Sequence, residues 1–255
     1  MSATRQDFGP WATLAKTHAA GSTLARHQHR TGQLVFAIRG VMMVETSASR
    51  WTIPPQRALW VPPGQPHAIQ MLSTTEMRSV YCQPELIAEC ESFARQEEVH
   101  AVVASALIRE LVLGLFDERF EHDTRHLMVR LLLQTLRQEA CLPTHLPMPQ
   151  SEPLRRATKL LLDSNDWGLP MEKMAVEACM SERTFTRHFS AETGMSFRSW
   201  RQRARIVASL DLLTSEKSVK AIARALEFSS AAAYIAAFRE LLGCSPSVFR
   251  REAGP

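Results

Sequence analysis

The feature that most constrains how this chain folds is an internal repeat, with a period of 49 residues, in its C-terminal part. Ser181, Phe185, Phe189, Gly194 and Ser196 recur as Ser230, Tyr234, Phe238, Gly243 and Ser245, and Trp200 and Arg201 recur as Phe249 and Arg250. In each copy a serine can cap a helix, aromatics four and eight residues later share one face of it, and a glycine closes it in the left-handed conformation. A shorter helical stretch precedes each capping serine, MEKMAVEA at 171–178 and SVKAIARAL at 218–226. Helix, tight turn and helix make a helix-turn-helix, whose second helix can enter a major groove. The motifs are expected over 171–192 and 219–242, joined by one helix at about 195–213. One chain could then present two recognition helices about 34 Å apart along DNA. The alternative is a helical bundle whose aromatics serve only as core.

Charge favours the nucleic-acid alternative. The net charge is +4 over 255 residues, with 14 Lys+Arg against 14 Asp+Glu in residues 1–150 and 16 against 12 in residues 151–255. The whole excess lies in the half that carries the repeat, as a polyanion partner requires. No apolar run reaches the roughly 20 residues of a membrane span, and the N-terminus lacks a signal-peptide pattern, so a cytoplasmic protein is expected with no membrane partner. Cys82, Cys90, Cys141, Cys179 and Cys244 show no CxxC spacing, which suits free thiols in a reducing compartment.

The first half has a different texture. LVFAIRG, VMMVETS, RWTIPP, ALWVPPG, HAIQML and MRSVYC, all between residues 20 and 82, are short β-rich runs separated by Gly, Pro and Ser. Strands at this spacing imply a small barrel or double sheet. Segments 85–95, 100–119 and 123–140 have apolar residues at helical spacing, as in Leu107, Leu111 and Leu115, then Leu127, Leu131, Leu132 and Leu136. The last two are expected to pair as an antiparallel hairpin that either covers the barrel or supports a homodimer. Four prolines within residues 141–153 mark an interdomain linker. The expected fold is therefore α+β, with domains at 1–140 and 154–255.

The run MSERTFTRHFSAETGMSFRSWRQRARIVASLDLL, followed by SVKAIARALEFSSAAAYIAAFRELLGCSPSVFRRE, resembles the DNA-binding domain of the AraC/XylS transcription regulators over about 100 residues. The resemblance implies seven helices with two helix-turn-helix motifs. In the first recognition helix Arg183, Thr184, Arg187 and His188 face away from Phe185 and Phe189, and an arginine can fork onto guanine O6 and N7. In the second copy these places fall to Ala232, Ala233, Ala236 and Ala237, which can touch thymine methyls but cannot hydrogen-bond a base. The first motif is thus expected to specify sequence and the second to dock. Arg198, Arg201, Arg203, Arg205, Lys220, Arg239, Arg250 and Arg251 are phosphate-contact candidates. Glu227 stands where the family usually has glycine, so the local turn is expected to differ.

Gly21-x5-His27-x-His29-x3-Gln33-x6-Gly40 resembles the first cupin motif, and Pro62-x-Gly64-x2-His67 resembles the core of the second. In metal-binding cupins three histidines and a glutamate hold a divalent metal. Here Gln33 takes the glutamate's place and Met71 that of a final asparagine. On strands, His27, His29 and His67 are expected to point inward. They either bind a divalent transition metal or line a metal-free ligand pocket, with Val35 and Ala37 as further inward residues and Trp51 and Trp60 either joining them or, as the favoured alternative, serving as core. Neither a catalytic triad nor a phosphate-binding glycine loop is evident. The expected function is a non-enzymatic, sequence-specific transcription regulator with a cupin-like sensor for a small molecule or metal ion. Its partners are double-stranded DNA, the effector, a second copy through residues 100–140 and, as a further candidate, RNA polymerase. A metal-dependent cupin enzyme with a helical appendage is the competing hypothesis.

Overall fold

The computed structural model describes residues 4–7, 9–55, 57–90, 98–138, 145–213 and 217–253. They fall into two compact units, one formed by those within 1–44, 53–143 and 252–255, the other by those within 45–52 and 144–251.

Nine strands open the chain: β1 (Thr4–Asp7), β2 (Trp11–His18), β3 (Thr23–His27), β4 (Gly32–Arg39), β5 (Met42–Glu45), β6 (Ser49–Ile53), β7 (Arg57–Val61), β8 (His67–Met71) and β9 (Thr75–Cys82). The strand region thus begins well before residue 20. Helix α1 (Pro84–Glu89), strand β10 (His100–Val103) and helices α2 (Ala106–Gly114) and α3 (His122–Gln138) follow. The strands form a six-stranded sheet ordered β1-β2-β9-β4-β7-β10 and a five-stranded sheet ordered β11-β6-β5-β8-β3, in which β11 is His145–Pro147.

Alternation along β4 divides the first sheet into two faces. Leu34, Phe36, Ala58, Trp60, Val80 and Cys82 pack on one side with Leu86 of α1, Ile108, Leu111 and Val112 of α2, and Val129, Leu132, Leu133 and Leu136 of α3. The registers Gln33↔Tyr81, Val35↔Ser79, Val35↔Leu59 and Gln33↔Val61 place those residues on the opposite, inner side. Trp60 therefore belongs to the helix-covered core and does not line the cup, because Trp60 pairs with Leu34 and shares its face. Trp51 does not line it either; its ring lies 4.7 Å from that of His145.

Two segments form strands where none was expected. Residues 100–103, expected to begin a helix, pair as an edge strand with Arg57–Trp60, a fit for the β-branched Val102 and Val103. The proline-rich linker also contributes structure: β11 pairs with β6, Leu146 opposite Arg50. Cys141 and residues 141–144 lie outside the described residues.

The second unit contains α4 (Glu152–Ser164), α5 (Met171–Glu177), α6 (Glu182–Thr193), α7 (Phe197–Leu213), α8 (Val219–Ala225), α9 (Ala231–Leu242) and α10 (Pro246–Ala253). The repeat sets the hydrogen bonds at the ends of these helices. Ser181 Oγ accepts from Thr184 N–H and Ser230 Oγ from Ala233 N–H, while Ser196 and Ser245 do the same for Ser199 and Val248. Gly194 (φ 69°) and Gly243 (φ 74°) end α6 and α9 in the left-handed region. Helices α5 and α8 also stop through one geometry. Met180 N–H donates to Ala175 O and Phe228 N–H to Ala223 O, with Cys179 (φ 54°) and Glu227 (φ 57°) in the left-handed position. Glu227 thus leaves the hand of its turn unchanged. The two turns differ in length, Ser229 being an extra residue before the second capping serine.

A left-handed non-glycine costs about 1 kcal/mol. Exposed Cys179→Gly is therefore expected to raise, and Gly194→Ala to lower, the stability of this unit by about that amount, read from urea unfolding followed by circular dichroism. Equal midpoints for both variants and the parent would refute this account of the helix ends.

Candidate functional site

Buried aromatics decide what α6 and α9 present outward. Phe185 and Phe189, both fully buried, stack with ring centroids 5.6 Å apart, and Phe197 and Trp200 meet Phe189 edge-on at 5.1 and 5.5 Å. Tyr234, Phe238 and Phe249 form the equivalent cluster, at 5.7 and 5.6 Å. Because a helix turns 100° per residue, anchoring Phe185 and Phe189 directs Arg183 and Arg187 away from the core. Both arginines are exposed. Arg187 donates to His188 Nε2 at 3.2 Å, and the Thr184 hydroxyl accepts from Ser181 Oγ at 2.9 Å. On α9, Ala232 and Ala236 are exposed and Ala233 half-buried, whereas Ala237 is buried and drops out of the outward set.

The phosphate-contact candidates divide by what their guanidinium groups already hold. Arg201 donates to Leu169 O at 2.7 Å, and Arg250 to Leu213 O at 3.1 Å and Lys217 O at 2.5 Å. These two arginines occupy the same repeat position. Each clasps the carbonyl two residues before the first helix of its motif, Leu169 before α5 and Lys217 before α8. Arg205 donates to Leu226 O at 2.6 Å and lies 3.9 Å over the Phe228 ring, bracing the Glu227 turn, and Arg203 reaches His145 O at 3.4 Å. All four sit half-buried, with part of each guanidinium engaged by backbone acceptors of their own unit. Arg198, Lys220, Arg239 and Arg251 are exposed.

The histidine cup is built from β3, the loop after it and β8, with Gln33 of β4 beside it. His27 ends β3 opposite His67 on β8, across an irregular register, and His29 sits in the loop beyond β3, with its carbonyl accepting from Gly64 N–H at 2.8 Å. The expected strand position of His29 is thus corrected; His27 is exposed, His29 half-buried and His67 buried. The ring nitrogens nonetheless converge, one from each histidine lying within 4.8 Å of the others.

The three rings are oriented alike. His27 Nδ1 lies 2.8 Å from Ala25 O, His29 Nδ1 2.6 Å from Thr31 O, and His67 Nδ1 2.9 Å from Gln65 O. A carbonyl only accepts, so each Nδ1 carries the proton and each Nε2 is turned to the cup. Burial, with smaller contributions from His27, His29 and Arg26, pushes His67 down to about 4 against the opposing hydrogen bond to Gln65. His67 Nε2 is buried with no hydrogen-bond partner among the described residues. Three imidazoles with tethered Nδ1 groups are a donor set that fits a first-row divalent metal.

Gln33 is buried beside them. Its Oε1 lies 2.9 Å from His29 Nε2, and its Nε2 donates to Ser79 Oγ at 2.9 Å and Tyr81 Oη at 3.1 Å. Ser79 and Tyr81 were missed in the sequence. Their only signal is the alternation S-x-Y inside MRSVYC, and which face it served depended on the β4–β9 register.

Residues 13–140 match the AraC-like ligand binding domain family and residues 174–252 a helix-turn-helix domain family. The chain belongs to the AraC family of transcriptional regulators. It is 31% identical over 225 residues to the HTH-type transcriptional regulator NimR of Escherichia coli K12, covering 86% of this chain and 80% of that one. It is 26% identical over 237 residues to the arabinose operon regulatory protein of the same organism, covering 85% and 79%. The crystal structure of ToxT from Vibrio cholerae O395 aligns over 96% of this chain and 98% of its own at 11% identity and a TM-score of 0.41. This AraC-family chain therefore joins a strand-rich ligand-binding domain to a helical DNA-binding domain in a transcriptional regulator.

Charge-assisted hydrogen bonds of the kind Arg201 and Arg250 make contribute about 1.5–3 kcal/mol. Arg201→Ala is expected to lower the urea midpoint of the DNA-binding domain accordingly, whereas Arg198→Ala leaves it within about 0.5 kcal/mol. Equal midpoints for the two variants would show that Arg201 holds nothing.

Proposed function

We propose that this regulator reads its operator chiefly through α6 and docks through α9, under the control of a ligand held in the histidine cup. The observation that carries this reading is the contrast between two recognition helices with one buried face and opposite outer chemistry. Arg183 and Arg187, with Thr184 and His188 beside them, suit base edges, while Ala232, Ala233 and Ala236 suit close apolar approach and thymine methyls. Arg198, Lys220 and Arg239 are the phosphate contacts, fixing register without reading sequence. Arg201, Arg203, Arg205 and Arg250 stabilise the fold that presents them.

The effector side of the proposal rests on the three tethered imidazoles. His27, His29 and His67 would hold a divalent transition metal, which when bound supplies a cross-link between the end of β3, the loop after it and β8. Control requires that the effector bind two states of the regulator unequally. The family places the chain among transcriptional regulators, which favours this sensing role over a cupin enzyme, and a cytoplasmic location follows from the same role. No helix among the described residues is long and apolar enough to cross a membrane.

A second copy is the partner proposed for the outer face of α3. Leu127 and Leu131 are 66% and 45% exposed, and Leu107 of α2 is 49% exposed, while the opposite side of each helix packs in the core. Leu127→Asp combined with Leu131→Asp is expected to turn a dimer into a monomer in sedimentation velocity; an unchanged mass would rule this face out.

Arg187→Ala is expected to weaken binding to the regulator's own promoter DNA about tenfold or more, with a much smaller loss on random DNA, because a bidentate base contact discriminates by about 1–3 kcal/mol. Lys220→Ala should weaken both alike and lower the salt slope by about 1. Equal losses on the two DNAs for Arg187→Ala would remove it from base readout.

A further inference from the structure

We propose that Gln33 is an internal competitor of the three-histidine site: a divalent first-row metal ion loads the cup only by taking His29 Nε2 from the Gln33 amide. This inference rests on the metal-binding reading of the histidines and adds to it how loading is opposed and sensed. Two of the three Nε2 atoms are ready for an ion. Those of His27, which is exposed, and of His67, which is buried, have no hydrogen-bond partner among the described residues. The third, on His29, is engaged by Gln33 at 2.9 Å.

The planar amide holds that nitrogen in both of its orientations. With Oε1 toward the ring, His29 donates from Nε2 as well as from Nδ1, and Gln33 N–H groups go to Ser79 and Tyr81. Turned end for end, the amide donates an N–H to Nε2 of a neutral ring, and Oε1 accepts from the two hydroxyls. In each case the lone pair an ion needs is occupied. Glutamine cannot compensate the charge of an ion as a carboxylate would, so Gln33 acts against loading from the very place that adjoins the site.

The other end of the amide makes loading legible elsewhere in the domain. Gln33 faces Tyr81 in the β4–β9 register, and its hydrogen bonds to Ser79 and Tyr81 tie the cup to β9. Tyr81 also meets the His29 ring edge-on at 5.4 Å. Withdrawing His29 from the amide leaves a buried polar group that must find a new partner, since an unpaired one is costly, so the Gln33–Ser79–Tyr81 group rearranges when the ion enters. Loading thereby reaches the inner face of the six-stranded sheet from a site centred on the other sheet.

The test is a cobalt(II) titration of tag-free, chelator-stripped full-length protein, followed by visible d–d absorption and calorimetry. The parent should take up one ion per chain, and His67→Ala should lose at least tenfold in affinity. Gln33→Leu, which removes the competing hydrogen bond, should bind about fivefold more tightly, and Tyr81→Phe, which removes one anchor of the amide, should shift the same way by less. Tyr81→Phe preserves the shape of the cup and decides the matter should Gln33→Leu fail to fold. Weaker or unchanged cobalt binding in these two variants, with His67→Ala still defective, overturns the competitor role and leaves the histidine site standing. A parent that takes up no cobalt, or a His67→Ala variant that binds as the parent does, overturns the metal reading itself.

Discussion

Aromatic pairs four residues apart, Phe185 with Phe189 and Tyr234 with Phe238, are the contact on which the DNA-binding domain depends. Each pair buries one face of a recognition helix against a third aromatic, Phe197 or Phe249, that opens the next helix or sits in its first turn. A fully buried phenyl ring contributes about 1.5–3 kcal/mol, so rotating α6 to bury other residues would forfeit most of what holds the helix in place. With rotation fixed, Arg183 and Arg187 have only the outer side available. The buried anchor and the outward placement of these arginines are therefore one decision, made by spacing along a single helix.

The same economy governs the ends of the helices. Serine caps at Ser181, Ser196, Ser230 and Ser245 take up backbone N–H groups that the helix geometry leaves free, and left-handed residues at Cys179, Gly194, Glu227 and Gly243 turn the chain at the other ends. Two of these four left-handed positions lack glycine, yet the hydrogen bonds of the turn persist. Arg201 and Arg250 then tie each motif back to the segment that leads into it. The charge excess of the C-terminal half is consequently not all directed at a polyanion, because four of its arginines neutralise carbonyl dipoles inside the domain.

In the ligand-binding domain the decisive constraint is that a buried imidazole must commit one nitrogen before the other can do anything. Ala25, Thr31 and Gln65 provide the carbonyls, each two residues from its histidine, so the tethers are local even though the rings come from two separate stretches of the chain, 27–29 and 67. Local tethering with distant convergence is what gives the cup its uniform Nε2 lining. Gln33 breaks that uniformity because its partners Ser79 and Tyr81 are 46 and 48 residues away and hold the amide against His29.

What depends on neighbours along the chain is legible in the residues alone: the two helix-turn-helix copies, their caps and buried aromatics, the strand texture of the first half and the histidine spacing of the cup. Such features are set by periodicity and by hydrogen bonds spanning a few residues, and both can be read from a string of letters. Long-range packing settles which side of β7 carries Trp60, that residues 100–103 form an edge strand, that His27 is exposed, and which arginines hold backbone carbonyls. Those outcomes turn on strand register and on hydrogen bonds between groups 20 to 60 residues apart. A one-residue slip of register exchanges the faces of a strand, and a guanidinium looks the same in a sequence whether it meets a phosphate or a carbonyl of its own fold.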